Sequence, residues 1–276
     1  MINTIKHLSY VLRCSEQEII YSVENIDKYY YFFRQKKRKY GNPQQDPQER
    51  IKYRDLYPAK GSFKKIQTKL ESYLKECIEF PNYMYGSIKG KNNIQNASRH
   101  SANKYFLSVD LKNFFPNITH HQVFKSFTSK GFSPTVARIL TQLTTYKGRL
   151  LQGPSTSPII ANMVFLNTAR KLQEIAENKD ILFTNYLDDL TFSSTRDFKA
   201  DIEKILALIK EDGFILNHNK ISYRTHFPEV TGIFLYKGKL LLNPTTRNGA
   251  RVNDSIRRYE KQVMKANISN MRKKPN

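Results

Sequence analysis

The sequence predicts an α+β fold built around a mainly antiparallel sheet, and two observations lead to this prediction. Short β-prone runs are mixed with longer amphipathic stripes, in the order strand, two helices, loop, helix, hairpin, helix, strand, hairpin. Two of the runs, Ile181–Leu187 and Leu190–Ser193, are close enough in sequence to pair directly. A chain of 276 residues is long enough for one large or two modest domains with a sizeable core.

The composition points to a polyanionic partner. The net charge is +22, from 46 Lys and Arg against 24 Asp and Glu, which exceeds what solubility alone requires. Tyr and Phe number 17 each, enough to stack on nucleobases as well as to fill a core. Cys14 and Cys77 are far apart and predict free buried thiols, not a zinc site. We find no apolar run of membrane-spanning length and no secretory h-region, so we expect a cytoplasmic protein without a membrane partner.

Capping residues and apolar spacing predict the helices. A Ser-Glu-Gln-Glu sequence beginning at Ser15 is typical of a capping box, and Ser157-Pro158 is typical of a helix start. The predicted helices begin near Ser15, Ser62, Thr119, Ser133, Ser157, Phe198 and Arg251. Strands are expected at Tyr105–Leu111, in the 181–193 hairpin, at Phe214–Leu216, and in a last hairpin, Val230–Leu235 with Lys239–Leu242.

A strongly basic run, Arg34–Lys39, precedes a Gln- and Pro-rich stretch. It is either a solvated loop or one strand of a basic hairpin arm that closes over phosphates. In the second case Ile51–Tyr57, which carries Arg54, is the return strand.

Adjacent carboxylates at Asp188 and Asp189 lie between two hydrophobic strands. We expect them at the turn of the hairpin, because Asp tolerates the dihedral angles of a two-residue turn. Two carboxylates in such a place repel each other, and a bound cation would compensate. Because successive strand side chains point to opposite faces, one Asp should hold the metal and the other should lie beside it. The alternative is a solvated acidic turn. Asp110, at the end of the 105–111 strand, could supply a further carboxylate to a metal site.

Four sequence blocks, taken together, resemble the successive motifs of reverse transcriptases from about residue 50 to about residue 245. The blocks are Asp110-x-x-x-x-Phe115, Gln152-Gly153-x-x-x-Ser157-Pro158-x-x-x-Asn162, Tyr186-x-Asp188-Asp189 and Gly213-Phe214-x-x-Asn217-x-x-Lys220. Two shorter elements resemble retron reverse transcriptases in particular. They are Asn96-Ala97-Ser98-Arg99-His100 and Val230-Thr231-Gly232.

The resemblance implies a right-hand polymerase fold of fingers, palm and thumb, with the catalytic Asp residues on the palm sheet. It places the fingers at 1–95 and 119–150, the palm at 96–118 and 151–238, and a short thumb at 239–276. It further implies two Mg²⁺ ions, with Mn²⁺ as an alternative, bridged by Asp110 and Asp188. The Leu111 carbonyl would add a ligand, and Asp189 would lie near the primer terminus. Two ions about 3.5–4 Å apart are the usual arrangement for nucleotidyl transfer.

Further roles also follow only from the resemblance. Phe115 would lie under the incoming sugar and exclude a 2′-OH, unless it is a core aromatic. Gln152 and Gly153 would hold the nucleotide, and Arg54 would clamp its triphosphate. Lys220 would donate a proton or pair with pyrophosphate, or else is a surface lysine. His100 would contact RNA or be a hydrogen-bonded core histidine. The other expected RNA-binding residues are Asn96, Val230, Thr231, Gly232, Arg257 and Arg258. Independently of the resemblance, the mixture of basic and aromatic side chains adds Tyr236, Lys237 and Tyr259 as expected RNA contacts.

The implied function is that of a retron-type RNA-directed DNA polymerase. It would bind a structured non-coding RNA as template and primer, use dNTPs, and make single-stranded DNA from an RNA 2′-OH. An accessory effector protein and a role in antiphage defence are also implied. Two alternatives are another bacterial reverse transcriptase, of group II intron or diversity-generating type, and a non-catalytic RNA-binding scaffold.

Overall fold

The computed structural model describes residues 1–39, 42–45, 48, 50–243, 246 and 254–272. The chain divides into two compact units. The first comprises 1–37, 51–81 and 113–167, and the second comprises 38–50, 82–112 and 168–276. Within the described ranges, no helix has both the length and the apolar character needed to cross a membrane.

Ten α-helices lie in the described ranges. They are α1 (Ile5–Leu12), α2 (Glu16–Glu24), α3 (Gly61–Cys77), α4 (Asn93–His100), α5 (Phe114–Asn117), α6 (His120–Ser129), α7 (Pro134–Thr144), α8 (Ser157–Glu177), α9 (Ile202–Glu211) and α10 (Asp254–Arg272).

Thirteen strands lie in the same part of the chain. They are β1 (Phe33–Lys36), β2 (Arg38–Lys39), β3 (Asn42–Pro43), β4 (Tyr53–Leu56), β5 (Tyr105–Asp110), β6 (Thr145–Tyr146), β7 (Arg149–Leu150), β8 (Leu182–Tyr186), β9 (Asp189–Ser194), β10 (Ser222–Arg224), β11 (Glu229–Val230), β12 (Ile233–Tyr236) and β13 (Lys239–Leu242).

The first unit is mainly helical, and three of its helices, α2, α6 and α7, begin where the caps predict. Ser15 forms the predicted capping box with Glu18, and Thr119 forms one with Gln122. Ser133 accepts a bond from the Val136 N–H, with Pro134 opening α7. Helix α1 packs on α2, α3 and α7, and α6 packs on α7. Ser62 is not a cap, because α3 begins one residue earlier and Lys60 at its N-cap makes no side-chain hydrogen bond.

The basic arm exists as a two-stranded ribbon in the first unit. Strands β1 and β4 pair in antiparallel register, with Gln35 opposite Arg54. The side chains of β1 are all exposed, and those of β4 are exposed except at Leu56. The ribbon therefore presents polar and aromatic groups to solvent. This is the hairpin alternative for the basic run, and not a loop.

The second unit is built on a four-stranded antiparallel sheet in the order β10-β5-β9-β8. Phe183 and Phe192 stack inside it with ring centroids 4.7 Å apart, and Ile205 and Ile209 of α9 are fully buried. One of the two edge strands is β10, which the sequence did not predict. The predicted strand at Phe214–Leu216 is reduced to one bridge between Leu216 and Leu111.

A second, three-stranded sheet in the order β11-β12-β13 completes this unit. It packs against α4 and α10 through an apolar cluster that includes Ile94, Ile233, Leu240 and Val263. The side chain of Asn267 on α10 donates to and accepts from the Leu240 backbone at 2.9 and 2.7 Å. The predicted hairpin and C-terminal helix are thus both present and joined.

Candidate active site

Three carboxylates meet at one end of the four-stranded sheet. Asp110 ends β5 and stands opposite Asp189, the first residue of β9, in the strand register. Tyr186 is also opposite Asp189, so the two-residue turn of the hairpin is Leu187-Asp188 and not Asp188-Asp189 as the sequence predicted. Leu187 takes the positive φ of 58° that this turn requires. The Leu111 N–H donates to the Asp188 carbonyl at 2.9 Å and fixes the turn beside β5.

Asp110 is the buried member of the three, and its neighbours supply positive charge and a hydrogen-bond donor. It is only 6% exposed. The Asn217 amide donates to Oδ2 at 2.9 Å, and the Asn217 N–H donates to the Asp110 carbonyl at 2.9 Å. The Lys220 ammonium donates to Oδ1 in an ion pair. Lys220 therefore pairs with the carboxylate cluster, although its side chain is 58% exposed.

The pKa values show how the negative charges interact. Burial, then the Asp188 and Asp110 carboxylates, raise the pKa of Asp189 to about 7, although the residue as a whole keeps an exposed surface. Burial opposes the charge of Lys220, but its bond to Asp110 and the three carboxylates outweigh this and raise the pKa of Lys220. Three carboxylates thus face one ammonium group, and Lys220 alone does not neutralise their combined charge.

The donor set suits a divalent cation, although the side chains are not arranged around one. In the described part of the chain, no three His, Cys, Asp or Glu side chains lie close enough to hold a metal together. The two Asp110 oxygens instead bond to Asn217 and Lys220. Carboxylate oxygens are the hard ligands that Mg²⁺ prefers, and the Lys220 ammonium occupies a position on Asp110 that a cation could take. A bound divalent ion would also reverse the charge balance that disfavours ionised Asp189.

Helix α4 holds the strands of the carboxylate hairpin through His100. This side chain is fully buried, with Nδ1 2.6 Å from the Ser193 hydroxyl and Nε2 2.7 Å from the Thr184 hydroxyl. Burial lowers the pKa of His100 to about 3, so the ring is neutral. The prediction of direct RNA contact through His100 is therefore not supported. The structure matches the alternative, a hydrogen-bonded core histidine.

The Val-Thr-Gly triplet forms a tight turn. Val230 is buried and pairs with Ile233, so Thr231 and Gly232 are the two turn residues. Their φ angles of 47° and 86° are both positive, as a type I′ hairpin requires, and glycine reaches this region without strain. Buried Val230 packs in the core and does not face RNA.

Two asparagines of α4 fasten this turn. Asn93 donates to the Thr231 carbonyl at 3.1 Å and to the Tyr259 hydroxyl of α10 at 2.6 Å. Asn96 donates to the Thr231 hydroxyl at 3.4 Å and is itself fully buried, so its predicted direct contact with RNA is not supported either. The two retron-like sequence elements thus contact each other. Sequence reasoning missed Asn93 and expected Tyr259 to contact RNA, because only the fold brings these two residues to this turn.

A cavity of about 630 Å³ opens beside the carboxylates. Asp110, Asp189 and Lys220 line one part of it, and Thr231 and Gly232 line another. Glu229, also in the lining, contributes to the raised pKa of Asp189. The cavity therefore joins the carboxylate cluster to the Thr231-Gly232 turn within one unit.

The predicted nucleotide-binding residues all belong to the first unit. Phe115 is half-buried, while its neighbour Phe114 is buried and packs edge-to-face on Phe165 at 5.9 Å. Gly153 has a φ of 125°, and a Cβ there would lie 3.0 Å from the Tyr57 nitrogen. The Tyr57 N–H donates to the Gln152 carbonyl at 2.8 Å. Gly153 is thus required at least for this close backbone approach, whereas Gln152 takes part in it only through its backbone carbonyl. Arg54 is exposed on β4.

The remaining predicted residues lie on the surface of α10. Arg257 and Arg258 are both exposed, and Arg257 pairs with Asp254 at 3.3 Å within the helix.

Cys14 and Cys77 are free and partly buried.

Comparison with known proteins defines the class to which this fold and site belong. The family model described as "Reverse transcriptase (RNA-dependent DNA polymerase)" matches residues 37–254, most of the chain. The chain therefore belongs to the reverse transcriptase family.

Within that family, the chain is similar to several retron enzymes. It is 32% identical over 160 residues to the retron Se72 reverse transcriptase of Salmonella heidelberg (strain 579083-10). This alignment covers 57% of this chain and 42% of that protein. It is 27% identical over 250 residues to the retron Ec86 reverse transcriptase of Escherichia coli, covering 87% of this chain and 73% of that protein. These matches support the retron resemblance that the sequence motifs indicated.

Solved structures confirm the fold. Candida Tropicalis apo telomerase truncated from its C-terminal domain superposes with a TM-score of 0.54 at 11% identity, over 83% of this chain and 61% of that chain. Candida albicans telomerase in complex with a telomeric RNA fragment superposes with a TM-score of 0.53 at 10% identity, over 83% of this chain and 49% of that chain. The predicted right-hand polymerase fold with an antiparallel sheet is therefore confirmed.

Proposed function

We propose that this chain is an RNA-directed DNA polymerase of retron type. It binds its own structured non-coding RNA, copies part of it into single-stranded DNA with dNTPs, and starts from a 2′-OH of that RNA. The observation that carries the proposal is the meeting of Asp110, Asp188 and Asp189 at one sheet end, beside Lys220. An RNA-binding scaffold has no need of three carboxylates that repel each other in this way.

Different residues of the site would bind the metal ions, the pyrophosphate and the incoming nucleotide. Asp110 and Asp188, with the Leu111 carbonyl, would hold two Mg²⁺ ions, or Mn²⁺, and Asp189 would lie at the primer terminus. Bound ions would lower the pKa of the attacking hydroxyl and stabilise the charge on the leaving pyrophosphate. Lys220, released from Asp110 when metal binds, would be free to neutralise pyrophosphate. Phe115, Gln152, Gly153 and Arg54 would contact the incoming nucleotide.

The basic surface would supply RNA affinity through phosphate contacts. Arg257 and Arg258 are exposed and fit this role, whereas the buried Asn96, His100 and Val230 would support the surface from behind. Thr231 and Gly232, at the cavity edge, would face the primer strand. We further propose that the protein acts in the cytoplasm in antiphage defence together with an effector protein, on the basis of the resemblance to retrons.

The test is primer extension with Mg²⁺ and dNTPs, combined with sequencing of the RNA that copurifies with the protein. The Asp188→Asn variant should lose synthesis and keep RNA affinity, because affinity comes from Lys and Arg. Asp180→Asn is the matched control, since Asp180 is 79% exposed, tolerates Asn at its positive φ, and pairs only loosely with Arg196 at 3.8 Å. Near-normal synthesis by Asp188→Asn would refute the assignment of the site. If the copurifying RNA were heterogeneous, the assignment to the retron type would be refuted, and another type of bacterial reverse transcriptase would be the remaining interpretation.

A further inference from the structure

Two aromatic rings of the second unit stack on each other at the surface. Phe227 lies in the connection between β10 and β11, and Tyr236 is the last residue of β12. Their ring centroids are 4.5 Å apart and their planes differ by only 10°. Phe227 is nevertheless 48% exposed and Tyr236 is 40% exposed. We call this pair the aromatic platform. Large rings normally bury themselves, so a parallel stack that stays in water is suited to receiving another flat group.

The platform is held in place by two unusual backbone conformations. Phe227 has a φ of 46°, a region that bulky residues occupy rarely and at a cost of about 1–2 kcal/mol. Tyr236 pairs with Lys239, so Lys237 and Gly238 form a two-residue turn, with φ angles of 47° and 78°. Both values are those of a rigid type I′ hairpin. The rings are therefore presented by a tight turn and a constrained loop.

Positive side chains lie beside Tyr236. The Lys237 ammonium lies 5.4 Å from the Tyr236 ring centroid, in cation–π contact. Exposed Lys239 is directly opposite Tyr236 in the β12–β13 register, and exposed Arg224 precedes Phe227 by three residues. A ligand that placed a flat ring on Phe227 would thus bring its attached groups near cations, which favours an anion there.

We propose that the aromatic platform binds an unpaired nucleobase of single-stranded RNA, with Lys237 on the adjacent phosphate. This rests on the proposed function, which supplies RNA as the partner, and adds a binding residue, Phe227, that no sequence motif contains. Each stacked base contributes about 1–3 kcal/mol without regard to sequence, because every base has a flat face. Two rings alone are too small for a protein interface, which needs about 800 Å² on each partner.

The proposal is tested with a short single-stranded RNA that contains 2-aminopurine, whose fluorescence is quenched when the base stacks. Binding is measured to the full chain without dNTPs or metal, so that the result does not depend on polymerase activity. We expect quenching with the wild-type protein. We expect Phe227→Leu, which keeps an apolar side chain without a flat ring, to bind at least about fivefold more weakly and to quench less.

Salt dependence separates stacking from charge. Phe227→Leu should leave the slope of log affinity against log salt unchanged, because no phosphate contact is lost. Lys237→Gln should reduce that slope by about 0.7, the value for one phosphate contact on a single strand. Phe227→Tyr keeps the ring and should retain both affinity and quenching, which assigns the loss in Phe227→Leu to the missing flat ring. Tyr10→Leu, at a ring that is 81% exposed on α1, is the control for loss of any exposed aromatic.

Two results would overturn the proposal. The first is binding without 2-aminopurine quenching, which decides the matter on the wild-type protein alone. The second is equal RNA affinity of Phe227→Leu and wild type. If that variant also lost protein partners, the platform would be a protein-binding surface instead. Absent DNA synthesis together with normal quenching would instead count against the proposed function and leave the platform in place.

Discussion

Gly86→Ala is the sharpest test of how the carboxylate hairpin is positioned. The segment before Gly86 runs alongside β8: the Asn185 N–H donates to the Tyr83 carbonyl, and the Tyr85 N–H donates to the Asn185 carbonyl, both at 2.8 Å. Gly86 then meets the turn itself. A Cβ at this position would lie 2.7 Å from both the Leu187 nitrogen and Leu187 Cγ, and 3.0 Å from the Tyr186 carbonyl carbon.

The magnitude follows from these contacts. Two of the three atoms are backbone, so rotation of the Leu187 side chain cannot relieve the overlap. Overpacking of this kind costs about 1–3 kcal/mol, and the reduced freedom of the unfolded chain offsets about 0.4–1 kcal/mol of it. We therefore expect a net destabilisation of roughly 1–2 kcal/mol. The turn that must move carries Asp188, and a shift approaching 1 Å at a catalytic group can cost about 100-fold in rate.

The assay is single-nucleotide extension at saturating template and dNTP, well below the unfolding temperature, with RNA affinity measured in parallel. We expect the rate to fall by about ten- to 100-fold while RNA affinity changes little. Gly90→Ala is the matched control. Gly90 has a φ of 76° and nothing within 4 Å of an added Cβ, so alanine there costs stability through backbone strain without touching the hairpin.

Equal loss of rate in both glycine variants would show that stability alone explains the effect. A normal rate in Gly86→Ala would refute the positioning argument. The double variant Gly86→Ala with Leu187→Ala removes only the Cγ contact, so we expect partial recovery at most.

Two further predictions concern single side chains. Phe115→Ala should raise incorporation of rNTPs relative to dNTPs, because the half-buried ring would no longer exclude a 2′-OH; an unchanged ratio with lower stability would make Phe115 a core residue. Burial lowers the pKa of His100 to about 3 in the folded chain, against an ordinary value of 6.5. Between these two pH values the unfolded chain binds a proton at His100 and the folded chain does not. Its contribution to stability is complete above pH 6.5 and declines as the pH falls toward 3. Between pH 6.5 and 5 the loss is about 2 kcal/mol, and it should be absent in His100→Gln when unfolding free energies are compared.

Local rules predicted the elements that depend on a few neighbouring residues. The helix starts at Ser15 and Thr119 and the hairpin around Asp188 need only adjacent side chains, so the sequence located them within a residue or so. The turn register was wrong by one position. Asp suits a turn in general, but the pairing of Tyr186 with Asp189 decides which two residues form it.

By itself, the sequence determined the class of this protein, because its four motif blocks between Asp110 and Lys220 resemble those of reverse transcriptases. Its basic composition indicated only a nucleic-acid partner. Only the tertiary structure decided what the other motif residues do. His100 and Asn96 are polar and suited to RNA by composition, but their burial assigns them to holding the hairpin and the Thr231-Gly232 turn. Burial and the pairing of distant residues, such as Lys220 with Asp110, depend on long-range packing that residue spacing does not encode.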